Sequence, residues 1–468
     1  MKQCIGLFLL ILSVFSLNGQ TSKEYSNHKE LVEDFNFFKE KVEHIHPLLL
    51  NDSVRYGWEN SCNELAAQLP DSLLQEQFYL RLSSLLAQLQ DGHSFVNLPF
   101  DGRIKYNQAG GLVFPFTVKI IGDKLFVNQN NSRDSLRFMN HEEIISINSL
   151  SAGEILRKFR SLTGGKVKMI KNKMVEYYFG IFLWFCYGFE QDYQVTYLTK
   201  GDTLTCTVSG VKAREFFTAR KNRYGQQKKS NFSSRLFEEY ATAYIKIGSM
   251  MQLKEFCEFS DSTFMQIQQA QSQHLILDVR GNGGGRSIVA DSLMNYLTDR
   301  AYRQFMKVTT RNSKEAQAYY QTRYPDRYQK LMKLSVGDLL VEEGSLHEPK
   351  SKATKFKGEI YLLTDEGSYS GAATFAGVFK ELNLGTIIGQ ETGGRVEYFG
   401  DMLKFQLPNS KLKIFLSPRK FQQYGNENPN RGVVPDHLIS LTPEMHFNEK
   451  DEVLEYTLNL IRSKLASH

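Results

Sequence analysis

A chain of 468 residues has room for about two to three domains. Its 41 % hydrophobic and 12 % aromatic content supplies sizeable cores and excludes a disordered or collagen-like protein. The net charge of +6 is modest. The basic residues gather between Lys212 and Lys229, where Arg214, Arg220, Lys221, Arg223 and Lys228 have no aromatic platform beside them, so no nucleic-acid partner is expected.

Residues 1–19 read as a secretory signal peptide. Lys2 is a short positive start, Ile5 to Leu17 is an apolar run too short for a comfortable membrane span, and Asn18-Gly19 offers a cut before Gln20. An uncleaved N-terminal anchor is the alternative. Cleavage implies a periplasmic or secreted protein with no stable membrane insertion. Of the five cysteines, Cys62, Cys186, Cys206 and Cys257 remain after cleavage. They show no C-x-x-C and no zinc-like spacing, and read as buried free thiols. A Cys186–Cys206 bridge is the alternative in an oxidising compartment.

Residues 20–104 form a helical module. Leu31, Phe35, Phe38, Val42 and Ile45 repeat at helical spacing up to Pro47, and a second run from Phe78 to Leu89 stops at Asp91-Gly92. Residues 105–212 turn β-rich. Phe116–Ile121, Lys124–Val127 and Glu143–Ile147 read as strands, Ser151–Phe159 as a helix opened by a capping box with Glu154, and Asp192–Leu198 with Thr203–Val208 as a hairpin. The apolar run Tyr177–Cys186 is brief and reads as core. The phrase Glu142-Glu-Ile-Ile-Ser-Ile-Asn148 followed by a helix loosely resembles a PDZ domain, which would dock extended peptides on a sheet edge. An unrelated small α+β insert is the alternative. Residues 213–235 read as a basic linker.

From residue 236 the pattern alternates. Strands Thr242–Ile247, His274–Arg280, Glu359–Leu363 and Gly385–Gly389 are interleaved with helices Phe256–Gln271, Arg286–Leu297 and Phe375–Leu382. A hairpin spans Leu403–Leu416 and an amphipathic helix spans 450–463. The expected fold is therefore an α/β core, a mostly parallel sheet with covering helices, joined to the helical module and the small β-rich domain.

Two stretches carry chemistry. Ser370 falls in Thr364-Asp-Glu-Gly-Ser-Tyr-Ser-Gly-Ala-Ala-Thr374, where a strand turns sharply into a helix among small residues. A serine there is exposed at the strand end, and the free N–H groups of the helix start can stabilise an oxyanion. A plain serine cap is the structural alternative. Leu277-Asp-Val-Arg-Gly-Asn-Gly-Gly-Gly285 runs a strand into a glycine-rich turn that is neither a P-loop nor a dinucleotide fingerprint. The N–H groups of Gly283, Gly284 and Gly371 are candidates for an oxyanion hole. A tight turn is the alternative for the glycine run.

Taken in order, Asp-x-Arg-x-Asn-Gly-Gly-Gly, Ser-x-Ser-small-Ala, Gly389-Gln-Glu-Thr-Gly-Gly394 and Gly432-Val-Val-Pro-Asp436 resemble the C-terminal-processing (tail-specific) serine proteases. The resemblance implies Ser370 as nucleophile, no cofactor and no metal, and a peptide or unfolded protein tail as substrate. The family's lysine base falls on Arg395, which cannot give up its proton, so Arg395 is reassigned to substrate binding. The tricorn-like branch takes a histidine from upstream, and Leu89-Gln-Asp-Gly-His-Ser94 resembles that segment, which makes His93 the expected base. The same branch carries a glutamate before the Gly-Val-x-Pro-Asp motif. That implies Glu427 as the orienting acid, with Asp91 or Ser94 as alternatives. An inert ligand- or peptide-binding protein on the same scaffold, similar to the interphotoreceptor retinoid-binding proteins, is the competing expectation.

Overall fold

The structure is a computed structural model that describes residues 25–132, 141–189, 191–224, 230–447 and 450–465. The expected signal peptide lies outside the described residues. Among those described, no helix is long and apolar enough to cross a membrane.

The first helix is His28–Ile45. Asn27 Oδ1 accepts the Glu30 N–H, and Glu30 returns a carboxylate to the Asn27 N–H. Its buried face is Leu31, Phe35, Phe38, Val42 and Ile45. Helices Asp52–Ala67 and Gln75–Leu86 follow, and a short 3-10 turn, Ala87–Leu89, ends at Gln90 in the left-handed region (φ 54°). This kink throws Asp91, Gly92 and His93 off the helix axis.

The middle region is an antiparallel sheet in the order Asp202–Ser209, Asp192–Thr199, Glu143–Ile147, Lys124–Asn130, Phe116–Ile121. The capping box at Ser151 and Glu154 opens helix Ala152–Ser161. The apolar run around Tyr177 is the second half of helix Lys168–Tyr187, whose Val175, Phe179, Phe182 and Leu183 are buried. These residues share one core with the N-terminal helices. The expected linker is not irregular: it contains helix Ala213–Tyr224 and the start of strand Phe232–Phe237. Lysine and arginine are good helix formers, so a basic polar run does not by itself signal a linker. All four described cysteines are free, and burial pushes the Cys62 and Cys186 thiols up to about 12.

The α/β part holds a six-stranded sheet in the order Phe232–Phe237, Thr242–Ile247, His274–Asp278, Glu359–Thr364, Thr386–Gly389, His437–Leu438. Only its first pair is antiparallel. Side chains alternate between faces as the pleat requires. Leu275, Leu277, Ile360, Leu362 and Ile387 meet the helices on one face. Ile276, Tyr361, Leu363 and Ile388 meet the C-terminal helix Glu452–Leu465 on the other.

Two smaller sheets bridge the halves. One runs Leu339–Glu343, Phe305–Arg311, Arg419–Gln423, Glu397–Gly400. The other joins the expected hairpin, Leu403–Gln406 with Lys413–Leu416, to Phe95–Val96, the strand just after His93. The hairpin's Leu403, Leu407, Leu412, Ile414 and Leu416 enter the core of the N-terminal half. Its tip is clamped by buried Asp34, whose two oxygens accept the Asn409 and Ser410 N–H groups at 2.7 Å each.

Candidate active site

Two glycine-rich turns form one knot at the carboxyl ends of adjacent parallel strands. Asp365 Oδ1 accepts the N–H groups of Gly281 (2.7 Å) and Gly367 (2.8 Å). The Ser368 hydroxyl donates to Val279 O, and the Tyr369 N–H donates to Asn282 O, both at 2.9 Å. Below the knot, Arg280 forks between Asp278 and Asp451, with Lys246 also on Asp278. Burial pushes the Asp278 carboxyl up, and the Arg280 and Lys246 charges outweigh it and hold it far below the usual range. The Asp-x-Arg of the motif is thus a brace under the turn.

Ser370 emerges from this knot at φ 50°, ψ −122°, with helix Gly371–Glu381 beginning at the next residue. A non-glycine residue in that region is strained and persists because its surroundings fix it, as in a nucleophile elbow. The serine does not cap the helix: its side chain makes no cap bond, and among the described residues its Oγ makes no hydrogen bond. It is partly exposed.

The N–H of Gly371 opens the helix and has no acceptor among the described residues, nor has that of Gly283. Both remain candidates to hold an oxyanion. Gly284 does not: its N–H donates to Asn282 Oδ1 at 2.8 Å. Its role is to leave room. At φ +92° a Cβ on it would lie 2.6 Å from Tyr369 O, 2.7 Å from Gly371 N and 2.8 Å from Ser370 Cβ.

His93 arrives from the N-terminal half. It is buried, its ring stacks on Tyr369 (centroids 5.3 Å, 16°) and leans on Tyr398 (5.8 Å). Nδ1 lies 3.4 Å from the Tyr369 hydroxyl. The structure therefore brings His93 onto the residue that precedes Ser370 and leaves the Ser370–His93 hydrogen bond unmade. Catalytic hydrogen bonds are often loose until substrate binds. Burial pushes the His93 ring below its ordinary pKa, and the Asp91 charge opposes that push.

The carboxylate beside His93 is Asp91. Its Oδ1 accepts the His93 N–H at 2.8 Å and lies 3.9 Å from Nδ1. Burial works to raise Asp91, but the His46 hydrogen bond, and the charges that His46 and His93 carry when protonated, hold it down at about 2, so it is ionised. Glu427 does not take this place: it is exposed in the 425–431 loop and has no hydrogen bond or ion pair among the described residues. The carboxylate facing the buried ring is that of Asp91.

His46 was not legible as part of the site. It ends the first helix, as its position implies, and its Nδ1 accepts the Leu48 N–H (3.3 Å). Its Nε2 lies 3.3 Å from Asp91 Oδ2, a partner 45 residues away that no local signal indicates.

Arg395 lines a shallow cleft with Asp91, Gly92, Lys166, Tyr369, Glu397 and Tyr398. Its guanidinium donates to Pro429 O (3.1 Å) and to Asn430. The preceding Gly394 packs on the Ser370 turn, where a Cβ would lie 3.2 Å from Ser370 N.

Residues 241–439 match the model of Peptidase family S41, from the second core strand to the last. The chain is similar in fold to mature CPAF. In its complex with lactacystin, that protein gives a TM-score of 0.64 at 14 % identity over 94 % of this chain and 98 % of the other. A second structure of mature CPAF gives 0.60 at 13 % identity over 92 % and 96 %. The photosystem II D1 C-terminal processing protease covers 89 % of this chain and 94 % of its own at 14 % identity and a TM-score of 0.46. No curated protein sequence matches the chain. At these identities the structural likeness is one of fold. The family match, with that fold, supports a serine peptidase.

Proposed function

We propose that this chain, with an S41-type peptidase segment at its centre, is a secreted or periplasmic serine endopeptidase acting on peptides or unfolded protein tails. The observation that carries the reading is the strained Ser370 at a strand–helix junction, near the Gly283 and Gly371 N–H groups, which have no acceptor among the described residues, with a buried histidine packed on its neighbour. Ser370 attacks the scissile carbonyl, His93 takes its proton, and the two N–H groups receive the developing oxyanion. His93 then returns the proton to the leaving amine, and water releases the acyl group. Arg395, with Lys166 across the same cleft, suits a substrate carboxylate. The middle sheet is proposed to dock extended peptide.

The second reading, an inert binding protein, is favoured by the unmade Ser370–His93 bond and by Arg395 in place of the family lysine. Peptidase assays on a denatured protein decide between them. Turnover in the wild type and none in Ser370→Ala supports the enzyme. No turnover on any unfolded substrate supports the binder, and activity surviving in Ser370→Ala removes Ser370 as nucleophile.

A further inference from the structure

We propose that His46 is a positioning residue for the His93 base, acting through Asp91. Asp91 is buried, and its two oxygens are divided: Oδ1 accepts the His93 N–H at 2.8 Å, and Oδ2 lies 3.3 Å from His46 Nε2. Because His46 Nδ1 accepts the Leu48 N–H, Nε2 is the nitrogen that carries a proton toward Asp91. Bonds on both oxygens fix the rotation of the carboxylate. One oxygen is thereby kept facing the His93 ring, 3.9 Å from Nδ1.

His46 is itself held from three sides. It caps the first helix, its ring packs on Phe399 (4.7 Å), and its carbonyl accepts the Arg311 guanidinium (2.9 Å). Phe399 lies in the same strand as Tyr398, which leans on His93. The first helix, the strand Glu397–Gly400 and the proposed base are thus tied through one side chain. Apolar packing would serve stability as well as a buried carboxylate–histidine contact does. Its place beside the proposed base points to orientation instead.

The inference rests on His93 being the base, so the test needs one readout of activity and one without it. His46→Leu fills the space and removes the donor. His46→Gln can place an amide N–H where Nε2 lies. On a peptide substrate, His46→Leu is expected to lower kcat by about 10- to 100-fold, the scale of one hydrogen bond to a charged group, with KM unchanged. His46→Gln is expected to restore most of it. In ¹⁵N-histidine spectra of the full chain, the His93 ring signals should shift in His46→Leu and return toward wild type in His46→Gln. Wild-type kcat in His46→Leu, equal losses in both variants, or unmoved His93 signals would overturn the proposal. A wild type without peptidase activity would instead remove the proposed function, and the His93 spectra alone would then decide whether His46 positions the ring.

Discussion

Gly284 puts the residue-scale argument to a clean test. It offers no N–H to substrate, yet any side chain there meets Tyr369, Ser370 and Gly371 at under 3 Å from a backbone at φ +92°. Gly284→Ala should therefore cut kcat by about 100-fold or more while leaving the distant cores folded. Near-normal turnover would show that the nucleophile turn tolerates displacement. The base has a pH signature. As the proposed base, His93 would work when neutral, and burial lowers its pKa. The acid limb of kcat/KM should then lie below the ordinary histidine value of about 6.5. The same shift means that the unfolded chain binds this proton first, so His93's contribution to stability is lost as pH falls below about 6.5. An acid limb above that value would contradict the burial argument. Arg395 holds the 429–430 loop and lines the cleft. Arg395→Lys should keep measurable peptidase activity with a raised KM, and total loss with an intact fold would mean more than anchoring.

At the scale of elements, the candidate active site rests on a hairpin that carries none of its proposed catalytic groups. Strand Phe95–Val96, next to His93, pairs with Lys413–Leu416, and Asp34 clamps the hairpin tip. Asp34→Ala strands two backbone N–H groups and should cost about 3 kcal/mol or more, with a fall in activity alongside. A denaturation midpoint and a turnover rate both equal to wild type would show the clamp to be idle. The elements themselves were largely legible. The spacing of Leu31, Phe35, Phe38, Val42 and Ile45, the Ser151 capping box and the apolar strands of the core sheet are local signals, and the structure realises them. The sheet through Phe305–Arg311 and Arg419–Gln423 was not foreseen, because its central pair joins residues more than 100 apart and Phe305–Arg311 is only partly buried. Ser370 could be read because one strand–turn–helix sets its geometry. The link from His46 to Asp91 to His93 could not, since His46 and Asp91 lie 45 residues apart and meet only when the N-terminal helices pack together. Glu427 lies exposed in its loop and away from Asp91's place beside His93, because motif order places a residue in the chain but not on a particular side of a loop.

The proposed pair draws on both halves of the chain. Ser370 lies inside the family-matched segment 241–439 and His93 lies outside it, on a turn from the N-terminal half. Leu407, Leu412, Ile414 and Leu416 of the C-terminal half are buried only against that N-terminal core. A chain of residues 236–468 alone should therefore lack peptidase activity and aggregate, exposing a contiguous apolar face. A soluble, active fragment would place the base elsewhere. The most direct measurement of the central claim is the rate and site of labelling by a fluorophosphonate in the full chain. Peptide mapping should find the adduct on Ser370 in the wild type, with labelling slowed about 100-fold or more in His93→Ala. An adduct on another serine, or an equal rate in His93→Ala, would contradict a Ser370 nucleophile activated by His93.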